Sequence, residues 1–269
     1  MPDRTLGPLA SPSVVVVAAR DRTRETLRRA LPRRRGRLTL VRTDDELRTL
    51  VRTAMVDAVV VDLGQPTDAL WAAAETARDF PSIPFFAYAA LRPGELPTFV
   101  RAAKAEFAEL IAEGIEDDLI RDLLVPATFT VRFATALQGA ESRIGLATPL
   151  QAQVWRLIVA HGGRSVRTDF LAAALGLTRE HLSRRFAADG APNLKRVIDL
   201  VRLLAAAELA KNPGYDLPDV ARVLGFASAS HLSGSCQRLF GVKSGSLARL
   251  RPTDLMDRFA KQGRARSRS

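Results

Sequence analysis

The runs Leu175-Gly176-Leu177-Thr178-Arg179-Glu180-His181-Leu182-Ser183 and, about fifty residues later, Leu224-Gly225-Phe226 through His231-Leu232-Ser233 repeat one pattern. In each, an apolar helix stops at glycine and a second helix opens on a small polar cap. That second helix then sets Leu and Phe at core spacing among polar residues. One such unit reads as a helix-turn-helix, and two in tandem predict an all-α domain for this part of the chain.

The 269 residues suffice for two domains of ~100–150 residues. With 47% hydrophobic and 26% charged residues the chain falls among globular proteins rather than disordered ones. No Lys/Arg-flanked apolar segment opens it, and no apolar run approaches the ~18–20 residues of a membrane span. Cys236 stands alone, which excludes an intramolecular disulfide and fits a reducing compartment, so a soluble, cytoplasmic protein is expected. The net charge of +11 is unevenly placed. Residues 143–269 hold 21 Lys/Arg against 9 Asp/Glu, whereas residues 1–142 hold 19 against 20. Genome composition explains arginine in place of lysine but not this asymmetry. A basic excess confined to the half that carries the repeated units is the footprint of phosphate contact. It predicts a domain with two recognition helices and double-stranded DNA as partner.

In the first half, Val14–Val17, Leu38–Val41, Ala58–Val61, Pro84–Tyr88 and a short run near Glu109–Ile111 read as strands. Helical patterns separate or follow them at Arg22–Leu31, Asp44–Thr53, Trp71–Arg78, Glu95–Ala103 and Glu116–Leu124. About five strand–helix alternations within ~115 residues predict a doubly wound α/β domain on a parallel sheet, over residues 12–125.

This domain resembles the receiver domain of response regulators, a flavodoxin-like fold. Asp62, ending the third strand and followed by Pro66, falls at the phospho-acceptor position of that family. The acidic pair that holds Mg²⁺ in the family is Ala18-Ala19 here; the fourth-strand Ser/Thr is Ala89 and the fifth-strand Lys about Ala112. Phosphoryl transfer to a carboxylate needs a cation to offset the charge, and Asp62 with Asp21 one turn away does not build an oxygen cage for one. The resemblance therefore implies a degenerate, unphosphorylated receiver serving dimerisation or signal input. Residues 126–147, with Pro126, Gly139 and Gly145 around Phe129–Leu137, form a linker or part of a dimer interface.

Residues 148–252 carry the repeated units. Thr148-Pro149 opens a first helix, and Thr168 or Asp169 caps a second whose Phe170, Leu171, Ala174 and Leu175 form an apolar stripe. Thr178 caps a recognition helix to about Ala188, with Leu182 and Phe186 inward and Glu180, Ser183, Arg184 and Ala187 outward. Arg184 suits a bidentate contact to guanine. Glu180–Arg184 as a plain i,i+4 ion pair would be worth only ~0.3–0.5 kcal/mol. A long helix at Leu194–Ala210 leads to the second unit, capped at Asp216 or Leu217. There Leu232, Cys236, Leu239 and Phe240 face inward, and Ser230, Ser233, Gly234 and Gln237 outward.

Over residues 150–250 these residues resemble the DNA-binding domain of AraC/XylS-family transcription regulators. His181-Leu182-Ser183-Arg184-Arg185-Phe186, Arg202-Leu203 through Leu209, Val220-Ala221 with Leu224-Gly225-Phe226, Ser228, His231-Leu232-Ser233 and Phe240-Gly241 carry the likeness. It implies two helix-turn-helix units joined by a long helix, with DNA-facing residues Thr178, Arg179, Glu180, His181, Ser183, Arg184 and Arg185 in the first. In the second they are Ser228, Ala229, Ser230, Ser233, Gln237 and Arg238. Gly234 stands where the family usually has Arg, Cys236 where Phe is common, and Lys243-Ser244 where a Pro is usual. Base reading is therefore expected mainly from the first unit. Residues 253–269 read as a basic tail, disordered from about Gly263.

His161, His181 and His231 occur singly, so no metal site is expected. Neither a phosphate-cradling Gly-rich loop nor a nucleophile elbow is present, so no enzyme and no cofactor are expected. The expected protein is a bacterial-type, sequence-specific DNA-binding transcription regulator. Its partners would be DNA, a second copy, and another regulator or RNA polymerase, with no membrane. The alternatives are an adaptor or anti-regulator with weakened DNA contact, and a response regulator phosphorylated on Asp62.

Overall fold

The run of valines at the start of the chain becomes strand β1 (Ser13–Val17), buried at every residue. In the computed structural model, which describes residues 10–266 except 91, 93, 95, 106 and 108, β1 belongs to a five-stranded sheet of order β2-β1-β3-β4-β5. The other strands are β2 (Arg37–Val41), β3 (Ala58–Asp62), β4 (Phe85–Ala89) and β5 (Glu109–Ala112), and every pairing is parallel. All five expected strands are present. Alternate residues face opposite sides, and both sides are covered, as parallel sheets require. Val15, Val17, Val59 and Val61 share a core with helices α2 (Asp44–Thr53), α3 (Asp68–Glu75) and α4 (Leu96–Ala103). Val14, Val16 and Val60 share the other with α1 (Asp21–Ala30) and α5 (Asp117–Ala127). Helix α3 begins three residues before the expected Trp71 and stops at Glu75, continuing as a 3₁₀ turn at Thr76–Asp79. The strand order reverses between β1 and β3, so the loops leaving them diverge and open a crevice at the carboxyl end of the sheet.

The described chain divides into two units, one of residues 11–132 with 212–215 and the other of the remainder. The division falls inside helix α6 (Phe129–Ala136), so the expected linker at 126–147 is ordered structure. Phe133, Leu137, Ile144 and Leu146 are buried, which explains why an apolar segment among glycines folds rather than spans a gap. Asp57, fully buried, closes the first unit near its end. Its carboxylate accepts from Ser13 N at 2.6 Å and from Thr130 Oγ1 at 2.5 Å, while its carbonyl accepts from Phe129 N at 2.8 Å.

The second unit is helical: α7 (Pro149–Val159), α8 (Thr168–Ala174), α9 (Arg179–Phe186), α10 (Leu194–Leu209), α11 (Leu217–Val223), α12 (Ala229–Phe240) and α13 (Pro252–Arg266). The last of these corrects the expected tail. Residues from 253 onward form a helix opened by Pro252, with Leu255, Met256 and Phe259 buried; Ser267–Ser269 lie outside the described residues. The apolar stripe expected on α8 is also revised, because Leu171 and Ala172 are buried while Phe170 is 47% exposed and Ala174 is exposed. Among the described residues no helix is long and apolar enough to cross a membrane.

Replacing Asp57 by Ala removes the carboxylate that accepts from the buried Ser13 amide and from the Thr130 hydroxyl. The expected loss is about 2–4 kcal/mol, read as a lower urea midpoint.

Candidate nucleic-acid interface

The two repeated units close their turns with the same bond. Leu177 N donates to Ala172 O at 2.9 Å, and Phe226 N to Ala221 O at 2.8 Å. Each turn passes through a glycine in the left-handed region, Gly176 at φ +64° and Gly225 at φ +68°, where a side chain would be strained. The second turn is one residue longer, since Thr178 follows Gly176 by two positions and Ser228 follows Gly225 by three. Both hydroxyls then cap: Thr178 Oγ1 accepts from His181 N at 3.2 Å, and Ser228 Oγ from His231 N at 3.0 Å. His181 and His231 are equivalent because each supplies the capped third amide of its helix. The His231 ring also meets Phe226 edge-on at 5.7 Å. Asp216 caps α11 in a reciprocal box with Asp219. On α8 neither Thr168 nor Asp169 is the cap; the cap position is Arg167, without a side-chain bond.

Helix α9 buries Leu182 and Phe186, and leaves Arg179, Glu180, Arg184 and Arg185 exposed with His181 and Ser183 half-buried. It ends at Phe186, two residues before the expected stop, because Gln151 Nε2 of α7 donates to Phe186 O at 2.9 Å and the chain turns at Asp189, φ 58°. Helix α12 buries Leu232, Ser235, Cys236, Leu239 and Phe240. Ser230, Gln237 and Arg238 are exposed as expected, along with Ser228; Ala229, Ser233 and Gly234 are only half-exposed, and Ser233 Oγ is 2.8 Å from Ser244 Oγ. Burial pushes the Cys236 thiol up to about 12, which suits a packing residue and not a nucleophile.

The structure adds groups that spacing alone does not show. Thr168, Arg179, Ser183, Asn193, Lys195, Arg196 and Arg238 line one cleft of about 570 Å³. The start of α10, where Asn193 Oδ1 accepts from Arg196 N at 2.9 Å, thus faces the same space as α9 and Arg238. Lys195 and Arg196 are the residues missed, because the connecting helix looks in sequence like pure core. Deeper in α10, Arg202 Nη2 donates to Leu224 O at 2.9 Å, and its guanidinium lies 4.0 Å from the Phe226 ring. Burial lowers the pKa of this arginine.

At the carboxyl end of the sheet Asp62 is 1% exposed and engaged by a guanidinium. Arg20 Nε donates to Asp62 Oδ2 at 2.9 Å, Nη2 to Oδ1 at 2.5 Å, and Nη1 to Glu113 Oε2 at 2.9 Å. Asp62 holds the Arg20 pKa above the ordinary arginine value. Gly64 makes room: a Cβ there would lie 2.0 Å from Arg20 Nη2. Arg24 Nε donates to the Ala18 carbonyl at 3.0 Å and Nη1 to Asp21 at 2.8 Å, drawing Asp21 outward. Neither Arg20 nor Glu113 is marked by the receiver pattern, which has no arginine to look for. Among the described residues no group of three or more His, Cys, Asp or Glu is placed to hold a metal.

Residues 171–249 match a family model described as a helix-turn-helix domain, a span that runs from within α8 through both turns and both α9 and α12. No curated protein matches the chain. Among solved structures, a response regulator from Thermotoga maritima is 19% identical, with 44% of this chain and 98% of that one covered and a TM-score of 0.38. Full-length FixJ from B. japonicum is 15% identical, with 85% and 97% covered and a TM-score of 0.38. The response regulator StyR is 21% identical, with 71% and 98% covered and a TM-score of 0.39. At such scores the receiver-like fold rests on the strand order and flanking helices themselves. The chain carries a helix-turn-helix domain after a flavodoxin-like parallel domain.

Gly234 has φ outside the left-handed region, and a Cβ would meet only Arg238 Nη1 at 3.4 Å. Gly234→Ala should therefore stabilise α12 by ~0.5–1 kcal/mol, seen as a higher unfolding midpoint.

Proposed function

We propose that the chain is a sequence-specific DNA-binding transcription regulator in which α9 reads bases in the major groove. The observation that carries this is the exposed face of α9, with Arg179, Glu180, Arg184 and Arg185 outward on a helix anchored by Leu182, Phe186 and the Gln151 bond. A helix held this firmly presents its polar face without reordering, which is what base reading needs. Ser183, Arg179 and Arg238 around one cationic cleft fit phosphate contact between the two units. Helix α12 offers Ser228, Ser230, Gln237 and Arg238 but, at Gly234, no guanidinium, so it contributes positioning more than reading. Nothing in this reading calls on catalysis or a cofactor, and its setting is the cytoplasm. Arg184→Ala should weaken binding to a preferred site by ~1–3 kcal/mol while leaving random-duplex affinity and its salt slope nearly intact. Equal loss on both duplexes in a fluorescence titration would assign Arg184 to phosphate instead.

The receiver-like domain works without phosphorylation in this account. A guanidinium occupies Asp62, and Ala18-Ala19 offers no carboxylate for the cation that phosphoryl transfer requires. Exposed Leu96, Val100, Leu110, Leu119 and Leu123 on α4, β5 and α5 instead supply an apolar surface suited to a second copy. Incubation with acetyl phosphate and Mg²⁺ should leave the intact mass unchanged. A phosphoryl adduct that disappears in Asp62→Asn would restore the phosphorylated reading.

Gly234 favours a second reading, an adaptor with weakened DNA contact that pairs with another regulator or with RNA polymerase. Base-specific footprinting separates the two: protected bases in a defined site support the regulator, and their absence supports the adaptor.

A further inference from the structure

Residues 28–42 hold seven of the nineteen Lys/Arg in positions 1–142 and no carboxylate. The receiver-like domain is thus neutral only on average, with its cations concentrated at the end of α1 and the start of β2. Arg28 and Arg29 fall in the last turn of α1, where they complement the helix dipole, and Arg29 also meets Asp117 at 2.8 Å. That ordinary role does not extend to Arg33, Arg34, Arg35 and Arg37, which are exposed beyond the helix. Among the described residues Arg33, Arg34 and Arg35 form no ion pair.

The segment bearing them is rigid. The Pro32 carbonyl accepts from Arg35 N at 2.7 Å and from Gly36 N at 3.2 Å, and Arg37 N donates to Pro12 O at 2.8 Å. Gly36 is packed so closely on Leu31 that a Cβ would lie 2.7 Å from Leu31 Cγ. Three adjacent guanidiniums held on such a turn repel one another, a cost that an anion would relieve. Arg28, Arg33 and Arg37 border a cleft of about 700 Å³ along β2, whose Leu38 and Leu40 are half-buried. Guanidinium matches phosphate in geometry as well as charge.

We infer that this arginine turn is a second, sequence-independent DNA contact, made by the receiver-like domain to the phosphate backbone beside the site that α9 reads. The inference rests on the DNA-binding reading above. It is tested with the full-length protein on two duplexes, one carrying the preferred site alone and one extended by ~21 bp, about two helical turns. On the extended duplex, R33S/R34S/R35S should reduce the slope of log affinity against log salt by about 2.7, three contacts at ~0.9 each. The short duplex should be unaffected, and R33K/R34K/R35K should keep most of the slope. Thermal melting checks that the variant is folded, and Arg34→Glu, a single exposed change, repeats the test if it is not. Unchanged slopes on both duplexes overturn the inference, as they would if the turn served an acidic protein. Failure of the wild type to prefer its site over random sequence would instead count against base reading by α9.

Discussion

Twelve of the sixteen residues of α10 are buried, and the DNA-binding domain is arranged around that fact. A helix apolar on nearly all sides has no stable place at a surface, so α7, α11, α12 and α13 must pack on it. Arg202, a cation it carries inward, is tolerated because the Leu224 carbonyl and the Phe226 ring receive it. The same contacts fix the turn of the second unit. The first unit is held less directly, through Gln151 of α7 and the end of α9. Helices α9 and α12 therefore differ in anchorage as well as in outward residues.

In the parallel domain a different charge problem is solved. A carboxylate buried at the end of β3 requires a counter-charge, and positions 18 and 19, both alanine, offer no carboxylate to hold a metal beside it. Arg20 does, bridging Asp62 to Glu113 across the mouth of the sheet, with Gly64 leaving space for the guanidinium. The crevice that a reversed strand order opens is thus filled by the protein's own cation.

Much of this was legible in the sequence because it depended on period and punctuation. The valine runs announced buried parallel strands, and Gly176 and Gly225 announced the turns. Thr148, Thr178 and Asp216 announced helix starts. What escaped depended on where the chain returns in space. Arg20 meets Asp62 from forty-two positions away, and Lys195 lines the same cleft as Arg179 only because the turn after α9 folds back. The end of the chain misled for a related reason: its small basic residues resemble a solvated tail, but Leu255, Met256 and Phe259 recur at helical spacing and give α13 a face to bury. Phe170, apolar and at core spacing, lies outward because Leu171 and Ala172 already fill the contact of so short a helix.

The central claim is that α9 reads sequence, and selection of bound duplexes from a random pool by the purified full-length protein at ~150 mM salt tests it most directly. One strongly enriched half-site is expected, with a weaker or absent preference one helical turn (~10 bp) away where α12 would lie. A folded protein that enriches no motif, or that enriches the distant half-site alone, would contradict it.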